Sequence, residues 1–267
     1  MKVCALMSVW NSAPFLPNTL RGIYPYFDSV VVTESCWVRG YSESDSSPDG
    51  TADIIRKFIR EEDTDHKVFL HQAGTVGSQP EGRNSGLYLV PKDTEYVYMV
   101  DSDETYFTQD LLTLRALFDR IEPSRFGVMQ VPAKCFYFDG TYYREETFVR
   151  GYEWFPGQRF WAIASMLNPM NRPTLDLGSL RIEMMHYSYV SREWTRVKGC
   201  IGEDVSKERY ETWWNEVYSQ FDGDLEKLYS KNQGGPHVFG GGGPLKRYYG
   251  PHPDYVADLP IVTNKWK

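Results

Sequence analysis

Asp101 and Asp103 stand two residues apart in Met99-Val100-Asp101-Ser102-Asp103-Glu104, directly after the apolar run Tyr96 to Val100. Such a run reads as a buried strand, and side chains two apart on a strand point the same way. Both carboxylates would then emerge together at the carboxyl end of that strand, where open α/β sheets bind their ligands. A carboxylate pair so placed can share Mg2+ or Mn2+, hard cations that take oxygen donors and complete their shell with phosphates and water. An Asp-x-Asp is also the composition of a solvated acidic turn, so its weight depends on what else the chain can bring to it.

Placing these groups requires a sheet, and the first hundred residues alternate strand and helix. Val3 to Val9, Asp28 to Thr33 with its Val30-Val31-Val32 run, Lys67 to Leu70 and Tyr96 to Val100 read as strands. Helices are expected after Pro14, where Phe15, Thr19, Leu20 and Ile23 share one face, after the turn Ser47-Pro48-Asp49-Gly50-Thr51, and over Pro80 to Val90. This alternation predicts an α/β fold with a mostly parallel central sheet and helices on both faces. Beyond a helix over Thr108 to Ile121 the pattern changes. Phe126 to Phe138, Tyr142 to Val149, Gln158 to Ser165 and Arg181 to Val190 read as strands with no long helix between them, a smaller antiparallel or mixed C-terminal part. Helices are expected again from Ser191 to Phe221, followed by a tail with Gly240 to Gly243 and several prolines. The organisation expected is one domain over 1–267, with a nucleotide-binding half at 1–105, an acceptor-side half at 106–200 and a helical and loop extension at 201–267.

The chain has 267 residues, is 41% hydrophobic and 15% aromatic, and carries a formal net charge of −7. It can bury a full core, which excludes global disorder. The acidic balance counts against a polyanion partner, so a nucleic-acid acceptor is not favoured. Cys4, Cys36, Cys135 and Cys200 show no zinc or redox spacing. No segment is apolar enough to span a bilayer, and Met1 leads straight into a strand rather than a signal peptide. These features are the expectation for a cytoplasmic protein.

In motif order the chain resembles the GT-A glycosyltransferases, with similarity to their family-2-like branch and to family-92-like enzymes. Asp101-Ser102-Asp103-Glu104 resembles their Asp-x-Asp(-Glu) metal motif, and Val9-Trp10-Asn11 resembles their segment after strand one. Glu34 falls where such enzymes carry an acidic or polar nucleotide contact. Asp49-Gly50-Thr51 is similar to their Asp-Gly-Thr loop, and Gly82-Arg83-Asn84-Ser85-Gly86 to their Ala-Arg-Asn-x-Gly helix start. His186-Tyr187 through Arg192-Glu193-Trp194, with Lys198, resembles a His-Tyr stretch whose His completes the metal shell. The resemblance covers roughly the first 200 residues.

It implies a GT-A (Rossmann-like) fold and metal-dependent transfer of a sugar from a nucleotide-diphosphate donor, UDP- or GDP-linked, to a hydroxyl of a glycan or other acceptor. Asp101, Asp103 and His186 would hold the Mn2+ or Mg2+ that offsets charge on the leaving diphosphate. Val9, Trp10, Asn11, Glu34, Asp49, Arg83, Asn84, Asp101, Ser102 and Lys198 would line the donor site, with Arg83 and Lys198 on the diphosphate. Asp49 could equally cap a helix. Inversion requires a base on the acceptor hydroxyl. Glu203 and Asp204 resemble a Glu-Asp pair of family-2 enzymes, although a helix cap near Val205 suits them as well; Glu153 and Asp176 lie in candidate acceptor loops. A retaining enzyme needs no such base, and the sequence leaves the two open. Trp154 and Trp161 offer stacking faces or core packing on the acceptor side. A nucleotidyltransferase of similar fold is the nearest rival, but Trp10-Asn11-Ser12-Ala13-Pro14 lacks the glycines and lysine of a triphosphate loop. A non-catalytic carbohydrate-binding protein would have no need of Asp101, Asp103 and His186 together.

Overall fold

The structure, a computed structural model, describes residues 1–37, 46–122, 124–162, 165–166, 171–190, 195, 207–231 and 244–263. Strands β1 (Val3–Val9), β2 (Ser29–Cys36), β3 (Val68–Thr75) and β4 (Tyr96–Met99) run parallel in the order β3-β2-β1-β4. Every residue of β1, β2 and β4 is buried, as expected of parallel strands covered on both faces. Helices α1 (Leu16–Ile23), α2 (Thr51–Glu61), α3 (Gln79–Ser85) and α4 (Thr108–Arg120) supply that cover. Leu16, Leu20 and Ile23 of α1, Ile55 and Phe58 of α2 and Leu111, Leu114 and Phe118 of α4 pack with Val3, Ala5, Met7 and Val9 on one face of the sheet. The opposite face carries Cys4, Leu6, Val31, Val97 and Met99. There α3 approaches β2 closely because it is glycine-bearing: a Cβ at Gly82 would lie 2.3 Å from Ser35 Oγ.

Beyond β4 the sheet is mixed. It continues through β5 (Glu104–Tyr106), β6 (Val128–Tyr137), β7 (Tyr142–Glu153), β10 (Thr174–Asp176), β11 (Met184–Tyr189) and β12 (Lys246–Arg247), while β8 (Phe160–Ala162) and β9 (Ser165–Met166) form a separate hairpin. The main path is β3-β2-β1-β4-β7-β6-β11-β5, so β7 lies antiparallel to both β4 and β6, and β11 lies parallel to β6 and antiparallel to β5. The expected α/β architecture, parallel first and mixed later, is present. In detail the span read as one strand over Gln158 to Ser165 is the β8–β9 hairpin, and the expected helix over Pro80 to Val90 ends at Ser85 and passes into a 3-10 turn at Leu87–Leu89.

The later chain closes over this frame. Helix α5 (Lys207–Trp213) passes into a π turn at Trp214–Tyr218, followed by α6 (Leu225–Lys231), α7 (Asp254–Ala257) and α8 (Pro260–Thr263). Tyr255 of α7 fastens the tail to β5: its hydroxyl accepts from Tyr106 N and donates to Tyr106 O, each at 2.8 Å. Among the described residues no helix is long and apolar enough to cross a membrane. Cys4, Cys36 and Cys135 are buried, and none is in a disulfide among the described residues.

Candidate functional site

Parallel pairing brings the carboxyl ends of β1, β2 and β4 to one edge, with Val9 beside Glu34 and Leu6 beside Met99. The turn after β1 holds Trp10, Asn11 and Ser12. Asn11 adopts φ 50°, a left-handed conformation that Asn tolerates better than most residues. Its N–H donates to Ser47 Oγ at 3.1 Å, and Ser12 N donates to Thr51 Oγ1 at 2.8 Å. Asp49 ties the same two loops: one oxygen accepts from Ala13 N at 2.9 Å, the other from Thr51 N at 3.0 Å and Thr51 Oγ1 at 2.6 Å. Gly50, at φ 83°, lets the chain turn from Asp49 into α2. Glu34 is fully buried and accepts from Ser47 N at 2.8 Å and Gln72 Nε2 at 2.7 Å. Glu34 and Asp49 therefore organise the rim of the edge with their own oxygens, and Val9 lies in the core.

The sequence expectation for Asp101 and Asp103 needs correction. Strand β4 ends at Met99, and residues 101 to 104 form a turn closed by Glu104 N to Asp101 O at 3.0 Å. Alternation holds only while the chain is extended, so the two carboxylates take different partners. Asp101 accepts from Arg83 Nη2 at 3.0 Å and lies 3.6 Å from Arg150 Nη2. Asp103, 1% exposed, has Oδ2 3.5 Å from Nε2 of His186 on β11. Strand β11 arrives there because Tyr187 N donates to Asp103 O at 2.8 Å and His186 is registered opposite Glu104 of β5. His186 is further held by Ser188 Oγ, 2.8 Å from Nε2, by Cys135 Sγ, 3.6 Å from Nδ1, and by the edge of Phe148. Among the described residues no three His, Cys, Asp or Glu side chains gather closely enough to hold a metal ion. Two of the three expected ligands meet, and the third is turned to arginines.

Those arginines differ in how legible they are. Arg83 was expected to bind phosphate; it is buried on α3, anchors Asp101, and leaves its Nε without a partner. Arg150 was not singled out. Between Met129 and Gln130 the β6–β7 register slips by one residue, and Arg150 is the extra residue of that bulge. A bulge re-aims its side chain, and Arg150 reaches Glu104, giving Nε to Oε2 at 2.9 Å and a second bond from Nη2 to Oε1. Burial opposes its charge, but Glu104 and Asp101 outweigh burial and hold it firmly protonated. The available signal was an arginine followed by Gly151, just past the strand-like run Tyr142 to Val149.

Ser102 faces inward, its Oγ donating to Ser12 Oγ at 3.0 Å and its carbonyl accepting from Thr19 Oγ1 at 2.6 Å. Asn84 spends its amide on the backbone of Phe160, to O at 2.9 Å and from N at 2.8 Å. Glu153, a candidate base, is registered opposite Tyr96 at the start of β4, the other end of that strand from the turn at 101 to 104, and is ion-paired with Arg172 at 2.7 Å. Asp176, the other candidate base among the described residues, pairs opposite Gln130, five positions along β6 from the Cys135 that neighbours His186, and accepts from Gly178 N at 2.9 Å. Lys198, Glu203 and Asp204 lie outside the described residues, as do Cys200 and the Gly240 to Gly243 run.

A further feature of this edge emerges from burial. Among the buried polar atoms without a hydrogen-bond partner in the described residues are Ser8 Oγ, Trp10 Nε1, Asn11 Oδ1, Ser35 Oγ and Arg83 Nε, on β1, β2, the turn after β1 or α3, and also Glu153 Oε2 on β7. Such atoms are uncommon in folded proteins and call for a water or ligand. A crevice of about 10 Å³, room for one water, lies between Ser8, Thr33, Arg83 and Phe160.

No family model and no curated protein matches the chain. Parts of it are similar to solved structures. It shows 22% identity to TarS 1-349 of S. aureus at a TM-score of 0.38, over 51% of this chain and 36% of that one. It shows 15% identity to glucosyl-3-phosphoglycerate synthase of Mycobacterium tuberculosis, solved with Mn2+, uridine-diphosphate and glucosyl-3-phosphoglycerate, at 0.34 over 51% and 44%. It shows 13% identity to 4-diphosphocytidyl-2C-methyl-D-erythritol synthase of Anaerococcus prevotii at 0.37 over 57% and 70%. The chain thus spans less than half the length of the first two. Likeness at this level does not extend to activity.

Proposed function

We propose that the chain is a GT-A-type glycosyltransferase that transfers a sugar from a nucleoside-diphosphate donor, UDP- or GDP-linked, to an acceptor hydroxyl with divalent cation assistance. The observation that carries the reading is the meeting of Asp103 with His186, 83 positions apart in the chain, at the sheet edge where ligands bind. Donors bound to one cation at about 2.1 Å stand roughly 3 Å or more apart, so an Oδ2 to Nε2 separation of 3.5 Å suits a shared ion. An incomplete protein shell suits it too, since Mg2+ sites commonly pair one or two carboxylates with substrate phosphates. A cation held by Asp103 and His186 would act as a Lewis acid toward the departing diphosphate.

The chain's own residues do the rest. Arg83, fixed by Asp101, sets a buried positive charge at this edge, which favours an anionic diphosphate nearby. Arg150 and Glu104 hold Asp101 in turn, with Asp101 N donating to Glu104 Oε2 at 3.1 Å. Trp10 Nε1 and Asn11 Oδ1, buried in the turn after β1 without a hydrogen-bond partner, would gain one from a water or ligand group that enters beside that turn. Inversion, a base among Glu203 and Asp204, and a diphosphate contact by Lys198 belong to this proposal on the resemblance alone.

Melting temperature with UDP and with GDP, each with and without Mn2+, tests the reading, because a ligand bound by the folded state raises it. A rise with one diphosphate that requires Mn2+, and Mn2+-dependent hydrolysis of the matching nucleotide sugar, are expected. A response to nucleoside triphosphates with none to diphosphates would move the reading to nucleotidyl transfer.

A further inference from the structure

Strand β11 reads Met184-Met185-His186-Tyr187-Ser188-Tyr189, and every one of its residues is buried. Ser188, 5% exposed, is the small hydroxyl of that run, and a buried hydroxyl costs free energy unless it is bonded. Its partner is the imidazole of His186. Ser188 Oγ stands 2.8 Å from Nε2, the same nitrogen that lies 3.5 Å from Asp103 Oδ2. The backbone sets this up. From Cys135 to Tyr137 β6 advances two residues, whereas its partner β11 advances three, from His186 to Tyr189, so β11 carries an extra residue there. A bulge of this kind re-aims side chains and is over-represented next to active sites. Tyr187 N, inside the bulge, donates to Asp103 O at 2.8 Å and so fixes the stretch against the turn that carries Asp103.

Other groups nearby are committed elsewhere. Asp101 is turned to Arg83 and Arg150, Glu104 is paired with Arg150, and Cys135 Sγ lies at Nδ1, the other ring nitrogen of His186. Nε2 has a single lone pair. When a cation takes it, Ser188 can no longer donate there, and its oxygen is left beside the ion. Carboxylate, imidazole and hydroxyl form a donor set suited to Mn2+, and a serine or threonine hydroxyl holds Mg2+ in the phosphate-loop enzymes. Neighbouring donors on an octahedral ion at about 2.1 Å stand roughly 3 Å apart, close to the 2.8 Å between Ser188 Oγ and Nε2.

We infer that Ser188 Oγ is the third protein ligand of the cation, in the place that the sequence gave to Asp101. The inference rests on the cation of the glycosyl-transfer reading and extends its ligand set. Wild type, Ser188→Ala and Ser188→Cys test it with each metal alone: Mn2+ uptake by loss of the free-ion electron paramagnetic resonance signal, Cd2+ uptake by the ultraviolet absorption of a cadmium–thiolate bond. Ser188→Ala is expected to weaken Mn2+ binding about tenfold or more. A hydroxyl that only steadied His186 could lose as much, so Ser188→Cys carries the distinction, because a thiolate suits a soft cation and not a hard one. Ser188→Cys is expected to lose Mn2+ affinity by a similar factor and to bind Cd2+ more tightly than wild type. Its thiolate absorption should be absent from wild type and from Ser188→Ala, both of which keep Cys135. Equal Mn2+ binding by wild type and Ser188→Ala, or a Ser188→Cys with no gain in Cd2+ binding and absorption, overturns the inference and leaves a cation at Asp103 and His186 standing. A wild type that takes up no Mn2+ overturns the cation reading and this inference with it.

Discussion

At the scale of single residues, Asp103 and Arg150 have opposite kinds of consequence. Asp103 is buried against His186, and its replacement by the isosteric Asn removes charge without volume. Asp103→Asn is expected to lower Mn2+-dependent nucleotide-sugar hydrolysis by at least ~100-fold, the scale of losing electrostatic stabilisation of a leaving group, with an unchanged circular dichroism spectrum. Full hydrolysis in that variant would return Asp103 to a structural role. Arg150 is the partner of a fully buried Glu104. Arg150→Met leaves that carboxylate uncompensated and is expected to cost about 3–5 kcal/mol in urea denaturation, whereas Arg150→Met with Glu104→Leu should recover most of it, because removing both charges removes the desolvation penalty. A single variant as stable as wild type would mean that the pair carries no such penalty.

At the scale of elements, the tail explains how β11 is held under His186. His252, in the segment before α7, places Nδ1 2.8 Å from Tyr187 Oη, with Phe136 and Tyr248 rings around it. Burial pushes its pKa down; the Gly140 backbone and Asp139 oppose that without cancelling it. The unfolded chain therefore takes up this proton at a higher pH than the folded one. Stability from His252 is full above the ordinary histidine value of about 6.5 and falls as pH drops through the lower folded value. Melting temperature should decline from pH 7 to pH 5 more steeply in wild type than in His252→Gln; equal slopes would remove His252 from the acid response. The element scale is also where sequence reading was most and least reliable. Strands β1, β2 and β4 were legible because full burial demands unbroken apolar runs. The turn at 101 to 104 was legible only as one of two readings, because Asp-Ser-Asp suits both an acidic turn and a pair of carboxylates at a strand end. The bulge at Arg150 was hidden, because it exists only relative to the partner strand β6.

At the scale of the whole molecule, the candidate site joins β1, β2, β4, β7, β11 and α3, so its parts are coupled. If phosphates complete a shell begun by Asp103 and His186, cation and nucleotide must strengthen each other equally, since linkage is reciprocal. Titrations are expected to show that UDP or GDP raises Mn2+ affinity by the same factor as Mn2+ raises nucleotide affinity, typically 5–150-fold. Independent binding of the two would separate the cation from the nucleotide site.

By itself the sequence determined the α/β alternation, the parallel frame and the identity of the groups with chemistry to offer, because periodicity and residue type are local properties. Asp103 was named from its place after an apolar run, and His186 from the resemblance of its stretch to a His-Tyr motif. Only the tertiary structure decided which of those groups meet. It turned Asp101 toward Arg83 and Arg150, sent Glu153 and Asp176 to distant strand positions, and left Trp161 outward on the β8–β9 hairpin. Those outcomes depend on strand register, a turn and a bulge, which arise from pairing between segments far apart in the chain.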